Sequence, residues 1–277
     1  MKPKNKICIN KEKIKIVYIG DTHCGSEYGI ATSDILTKAG RKLSLSKEQR
    51  WLLKNYKKDL KKIGSCDILV LMGDLAEGPQ PKALGRTLMD SDTDTHVSCA
   101  VKVISLAVDQ LQPKYLISVP GTDYHVQGYG NLDFQTTNLL KEKYSAINFI
   151  SGFEKGILNI SINKLQYHIT HVSSTAKNTL GSIYTKSKEL VWSAGVTKGK
   201  FPNVFVSGHS HKFSVGAPRP NVPYGFTTPC LKCGDLYTAK TARLTTSVPD
   251  IGILVTEQVG GRTDINWNLT TIRHEGD

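Results

Sequence analysis

The chain contains no run approaching about 18 consecutive apolar residues, which excludes a membrane-spanning helix. Its lysine-rich start, MKPKNKICINKEKIK, is not followed by an apolar segment, so no secretory signal is expected. Cysteine is sparse: six residues, at 8, 24, 66, 99, 230 and 233, form no framework, which suits a reducing cytoplasm. Internal repeats, low-complexity tracts and Pro/Gly/Ser linkers are absent too. A single domain over 1–277 is therefore expected. With 39% hydrophobic and 22% charged residues, the composition is that of a globular chain rather than a disordered one.

What is abundant is positive charge, +12 in all, and it is unevenly placed. Residues 1–15 and 38–62 hold 16 Lys/Arg against 3 Asp/Glu, while the remainder holds 20 against 21. A local basic surface attracts polyanions such as nucleic acid and steers anionic substrates. The alternative is a lysine-rich solvated face with no partner.

Apolar runs of strand length recur at 14–19, 67–72, 115–119, 157–162, 165–170, 203–207 and 251–256, rich in β-branched residues and flanked by glycine. Helical spacing appears at 46–63, 96–111, 131–143 and 182–194; the first opens at Ser46 and carries Leu52, Leu53, Tyr56, Leu60 and Ile63 on one stripe. The order is β-α-β-α-β and then mostly β. It predicts an α/β layered domain whose later strands, including those of 231–277, form a second sheet packed on the first.

Four strands end alike. IVYI-Gly20 leads to Asp21-Thr-His23, and LVLM-Gly73 to Asp74-Leu-Ala-Glu77. LISVP-Gly121 leads to Thr122-Asp-Tyr-His125, and VFVS-Gly208 to His209-Ser-His211. A fifth run, LQYHIT, ends directly in His171. Ligand crevices of open α/β sheets lie outside the carboxyl ends of the strands, so these five loops are expected to converge. They deliver carboxylates and imidazoles. Mixed O/N ligation suits Mn, Fe, Zn or Ni, and two such ions roughly 3.5–4 Å apart form the clamp of two-metal hydrolysis.

This order resembles the calcineurin-like metallophosphoesterase superfamily, whose signature runs D-x-H, G-D-x-x-[DE], G-N-H-[DE], a lone His, then G-H-x-H. The match covers residues 14 to about 230. The resemblance implies two packed mixed β-sheets flanked by helices, a four-layer αββα arrangement, and two divalent transition-metal ions, manganese favoured. By position it implies Asp21, His23 and His211 as ligands of one metal, His171 and His209 as ligands of the second, and Asp74 as the bridging, catalytically essential carboxylate. Glu77 is expected to orient a ligand or the loop. The third motif departs from the pattern: Thr122 occupies the Asn position of the metal set, and the histidine comes two residues late. His125 is expected to protonate the leaving group or to ligate a metal directly. The segment between the first two motifs, with G-T-x-x-H in place of G-N-H, also resembles a phage and prophage subgroup, which would place the protein in a host cytoplasm.

The expected activity is two-metal hydrolysis of phosphate esters, first a phosphodiester in a nucleotide or nucleic acid held through the basic N-terminal region. A phosphomonoesterase, including a protein phosphatase, and a scaffold that has lost catalysis are the alternatives. Among other polar residues, His168 alternates onto the opposite face of its strand from His171 and reads as a sheet histidine. His96 and His274 read as surface residues. Cys230-x-x-Cys233 lacks the second ligand pair of a zinc site. Asp90-Ser-Asp92-Thr-Asp94 reads as an acidic turn before a helix.

Overall fold

A strand that is apolar on both faces has to be covered on both. In β2 (Lys13–Ile19), Ile14, Ile16 and Tyr18 point one way and Val17 and Ile19 the other, and all five are buried. The first set joins a core between two β-sheets, and the second a core between one sheet and helices. The computed structural model describes residues 5–38, 40–80, 84–126, 131–154, 156–171, 202–216, 224–234, 249–259 and 265–272.

One sheet has the order β12-β11-β2-β3-β4-β5, with β3 (Ile68–Leu71), β4 (Tyr115–Ser118) and β5 (Asn148–Ser151) parallel to β2. The other has the order β1-β6-β7-β8-β10-β9, built from β1 (Asn5–Ile7), β6 (Ile157–Ile162), β7 (Leu165–Thr170), β8 (Val204–Ser207), β9 (Ser214–Gly216) and β10 (Tyr224–Thr227). Both sheets are mixed. Ile160, Tyr167, Ile169, Val206 and Phe226 of the second sheet interleave with Ile16, Val70, Met72 and Ile117 of the first. The two mixed sheets flanked by helices implied by the motifs are what the chain forms.

The C-terminal strands are a correction. β11 (Ile251–Val259) and β12 (Ile265–Ile272) do not complete the second sheet. β11 pairs antiparallel with β2, Leu254 opposite Tyr18, and so extends the first sheet. Its pattern explains the choice. Ile251, Ile253 and Val255 face the helices and Leu254 faces the inter-sheet core, a two-sided apolar strand that needs a position covered on both sides. The second sheet is instead completed by β1, which pairs with β6.

Helix α1 (Lys47–Ile63) starts at Ser46 in a capping box: the Ser46 hydroxyl accepts from Gln49 N–H, and the Gln49 side chain accepts from Ser46 N–H. Its stripe, Leu52, Tyr56 and Leu60, packs on the first sheet with α2 (Thr93–Leu111) and with Leu132 and Leu140 of α4 (Asn131–Lys143). A short turn of helix, α3 (Asp123–Val126), follows β4. The helix expected at 182–194 and His274 lie outside the described residues. Among the described residues no helix is long and apolar enough to cross a membrane.

Candidate metal centre

Beyond their last residues, β2 and β3 keep pairing through their loops. Asp21 N–H donates to Gly73 O, His23 N–H to Asp74 O and Cys24 N–H to Leu75 O. These bonds lock a backbone that is costly on its own, because Asp21, His23, Asp74, His209 and His211 all have positive φ, between 46° and 67°. L-residues in that region cost on the order of 1–2 kcal/mol each, and such residues gather at functional sites. The loops after β7 and β8 join them: Gly208 N–H donates to His171 O, and His209 N–H to Asp21 Oδ2. The loop after β4 joins through Thr122 N–H, which donates to Asp74 Oδ1, so all five strand-end loops meet at one edge of the sandwich.

The side chains form three overlapping groups, each with one ligand atom per residue within 4.8 Å of the others: Asp21, His23 and His211; Asp74, His171 and His209; and His23, Asp74 and His125. In the first, Asp21 Oδ1 is buried and accepts no well-formed hydrogen bond. Three imidazole nitrogens surround it: Nε2 of His211 at 3.2 Å, of His171 at 3.8 Å and of His23 at 3.9 Å. His23 Nε2 also lies 3.1 Å from His211 Nε2. The other nitrogen of two of these rings is already committed. His23 Nδ1 meets Glu77 Oε2 at 2.8 Å, and His171 Nδ1 meets the Met72 carbonyl. A ring that donates Nδ1–H to an oxygen turns the Nε2 lone pair inward, the arrangement of metal-ligating histidines. The convergence of these nitrogens around buried carboxylate oxygens fits a cation.

Charge in the site follows the same geometry. Burial opposes every ionised group, yet the imidazolium charges of His171 and His211 hold Asp21 down at about 2. Against its own burial, the carboxylates of Asp74 and Asp21 hold His171 up at about 9. Here the proton completes the site in the way a cation would. Asp74 lies well below the usual carboxylate range despite its burial, chiefly through His171, 2.9 Å from its Oδ2. His23 is pushed down to about 4 by burial and by the Lys232 ammonium.

Thr122 is placed on the Asp74 carboxylate. Its N–H donates to Asp74 Oδ1 at 2.7 Å and its hydroxyl reaches both Asp74 oxygens at 3.2 Å. His125 comes in from α3, with Nδ1 2.5 Å from Glu77 Oε1 and its ring edge-on to His23. Glu77 thus holds two imidazoles at once, one on each oxygen. Burial lowers the His125 pKa, but the Glu77 hydrogen bond and the Asp74 charge outweigh it and move it up.

Three polar residues of the site escape the sequence reading. Asp133, in the first turn of α4, is fully buried, and its carboxylate accepts from Asp74 N–H, Leu75 N–H and Gly121 N–H at 2.8–2.9 Å. Burial and the Asp74 charge push it up to about 7. Lys232, also buried, brings Nζ to 4.0 Å from Glu77 Oε2. His96 is a correction, for it is not a surface residue. It is 1% exposed, with Nδ1 2.7 Å from Glu77 O and Nε2 2.9 Å from Asp90 O. It fits because residue 25 is glycine, where a Cβ would come within 2.2 Å of the ring. A helix-start histidine carries no pattern that announces such a vault.

The remaining polar residues behave as expected. His168 sits away from the site with Nδ1 2.9 Å from Asn159 Oδ1. Asp92 stands at the N-cap position of α2 without a side-chain bond to the helix amides, and Asp90 accepts from its N–H. Cys230 is buried, and among the described residues no candidate metal group contains a cysteine.

No protein-family model and no curated protein matches the chain. Among solved structures it is similar to a zinc complex of Vps29 from Entamoeba histolytica, at 9% identity and TM-score 0.40, covering 93% of this chain and 99% of that one. It is also similar to a predicted phosphoesterase from Streptococcus pneumoniae (11% identity, TM-score 0.38, 94% and 91% covered). A metallophosphoesterase from Sphaerobacter thermophilus is a third (10% identity, TM-score 0.37, 94% and 90% covered). In its two mixed sheets with flanking helices, and in the order in which five strand ends deliver Asp, His and Asp before four more histidines, the chain resembles the calcineurin-like metallophosphoesterases.

Proposed function

We propose that the protein hydrolyses phosphate esters, with phosphodiesters in nucleotides or nucleic acid as the preferred class. The observation that carries this reading is the buried Asp21 Oδ1, without a well-formed hydrogen bond and ringed by three imidazole nitrogens, beside a second acid–imidazole group built on Asp74. Asp21, His23 and His211 would hold one divalent transition-metal ion, manganese favoured, and Asp74, His171 and His209 the other. Two cations there supply Lewis acidity toward phosphoryl oxygens and a lowered pKa for water. Asp74 carries the charge between the two groups, and Thr122 and His171 together fix its carboxylate. His125 serves as the proton donor to the leaving oxygen: Glu77 grips its Nδ1 and its pKa is raised, which keeps a proton available.

Diesters are favoured because of what flanks the site. Lys38, Arg41 and Lys42 line one part of a cavity of about 1120 Å³ that also includes Tyr28, Met89 and the carboxylates of Glu27, Glu48, Asp90 and Asp92, so its charge is mixed. Met89 N–H donates to Gly25 O, two residues beyond His23, so the cavity wall adjoins the site loop. A diester has a second substituent for such a flank to hold, and a monoester does not. The test compares turnover of bis- and mono-nitrophenyl phosphate with added manganese, alongside elemental analysis. Two metals per chain and faster diester turnover are expected. Turnover of the monoester alone would make the protein a phosphomonoesterase, and absence of bound metal after purification from supplemented medium would sink the enzymatic reading.

A further inference from the structure

The departure in the third motif leaves a question of support. Thr122 is a short side chain where the pattern has Asn, and Val126 stands where it has a carboxylate after the histidine. Yet the loops after β3 and β4 approach as closely as backbones can. A Cβ on Gly121 would lie 2.0 Å from Asp74 Oδ1 and 2.3 Å from Asp74 N. Between them sits Asp133, from a different element. Its Oδ1 accepts from Leu75 N–H at 2.8 Å, and its Oδ2 accepts from both Asp74 N–H at 2.9 Å and Gly121 N–H at 2.8 Å. Two of these donors bracket the peptide of Asp74, which holds φ at 49°. The third belongs to the residue before Thr122, whose own N–H fixes Asp74 Oδ1.

We propose that Asp133 is the positioning residue that staples the second and third loops together and so sets the aim of the Asp74 carboxylate. From the start of α4 it holds the backbone of these loops, while Thr122 of the third loop holds the Asp74 carboxylate itself. The inference rests on the reading of Asp74 as the carboxylate shared between two metals, but its geometric part stands without any ion. Asp133 touches no reacting atom. It acts through the backbone of a residue that does, and a carboxylate is required because only two acceptor oxygens can serve three donors from one side.

Amide hydrogen exchange on the metal-free protein tests the staple first. The amides of Asp74, Leu75 and Gly121 are expected to be protected in the wild type and to exchange at least about 10-fold faster in Asp133→Asn, as lost pairing of a buried donor requires. Thr137→Val is the control. It removes a buried hydroxyl on the same helix, 2.9 Å from Ser118 Oγ, and should leave those three amides unchanged. With manganese added, Asp133→Asn should lower kcat on the diester probe about 10–100-fold at unchanged KM, the usual range for groups behind a ligand. Thr137→Val, at an equal or lower Tm, should keep kcat. Wild-type amides that exchange as fast as those of exposed loops would overturn the proposal, even if Asp133→Asn did not fold. So would an Asp133→Asn protein with unaltered amides, or a Thr137→Val protein with the same loss of kcat. If the amides respond as expected but the wild type binds no metal pair, the metallic reading of the site falls and the staple remains.

Discussion

The two ends of β2 carry polar groups under opposite conditions. At the amino end, Lys11 and Lys13 are exposed and Lys15 half-buried, and one buried carboxylate, Asp67, accepts from Lys11 Nζ and Lys15 N–H. At the carboxyl end, Asp21, Thr22 and His23 are wholly buried, and Asp21 Oδ1 has no well-formed hydrogen bond. Charges that face water are neutralised by it and contribute little to stability, typically below about 1 kcal/mol per pair. Charges buried without full pairing cost several kcal/mol unless a further charge completes them. Among the described strand ends that cost is borne at the carboxyl end, by Asp21, and it marks where a ligand belongs.

The largest effect should come from breaking the carboxyl end at its centre. Asp74→Asn keeps the shape and removes the shared charge, so one metal per chain should be lost and kcat should fall on the order of 10³-fold or more, as for other groups that act as a unit. Lys13→Gln at the other end of the neighbouring strand should leave kcat unchanged. Equal losses would erase the distinction between the two ends. His125→Ala should follow, with kcat down on the order of 10²–10⁴-fold, both metals retained, and the acidic-side dependence of the pH–rate profile altered. Loss of a metal instead would assign His125 to ligation through the group it forms with His23 and Asp74.

A smaller effect sharpens the same contrast along one strand. His168 on β7 and His171 just past its end are three residues apart, but the latter is held up at about 9 by two carboxylates, whereas burial alone pushes the former down to about 4. The unfolded chain would protonate His168 near 6.5, so below that pH it binds more protons than the fold does. Stability from this residue is complete above about 6.5 and is lost as pH falls toward about 4. A His168→Gln variant should show a shallower fall across that window, by about 1–2 kcal/mol once partial solvation of the ring is allowed for, read from urea unfolding at each pH. An unchanged slope would show that the ring is solvated.

What could be read from the sequence was whatever repeats: four strand–glycine–ligand endings, the alternation that separates His168 from His171, and the Ser46 cap with its stripe. These are local patterns, fixed by the period of a strand or a helix. What could not be read depends on approach across the chain. Asp133 is paired to amides 59, 58 and 12 residues away, and backbone donors leave no trace in residue identity. His96 is legible only once Gly25 is known to lie over it. The place of β11 beside β2 was likewise hidden, because a two-sided apolar strand fits the interior of either sheet, and only the register with Tyr18 and Val17 decides between them.

The smallest expected effect concerns the basic surplus, which the fold splits in two. Helix α1 precedes β3, which is parallel to β2, so it starts at the site edge and ends at the amino edge. Its Gln49 side chain donates to Ser26 O and Gly29 O just past the first motif, while at its far end Ile63 O accepts from Lys15 Nζ. Lys57, Lys58, Lys61 and Lys62 therefore belong to the end away from the site, and Arg41 and Lys42 to the cavity beside it. Each contact to a single-stranded phosphate adds about 0.7 to the slope of log affinity against log salt. Arg41→Glu/Lys42→Glu should weaken binding of a single-stranded oligonucleotide several-fold and flatten that slope, with nitrophenyl diester turnover and Tm nearly unchanged. Lys58→Glu/Lys62→Glu should alter neither. The opposite outcome, a slope that responds only to the far lysines, would detach nucleic-acid binding from the site and return the diester preference to the metal loops alone.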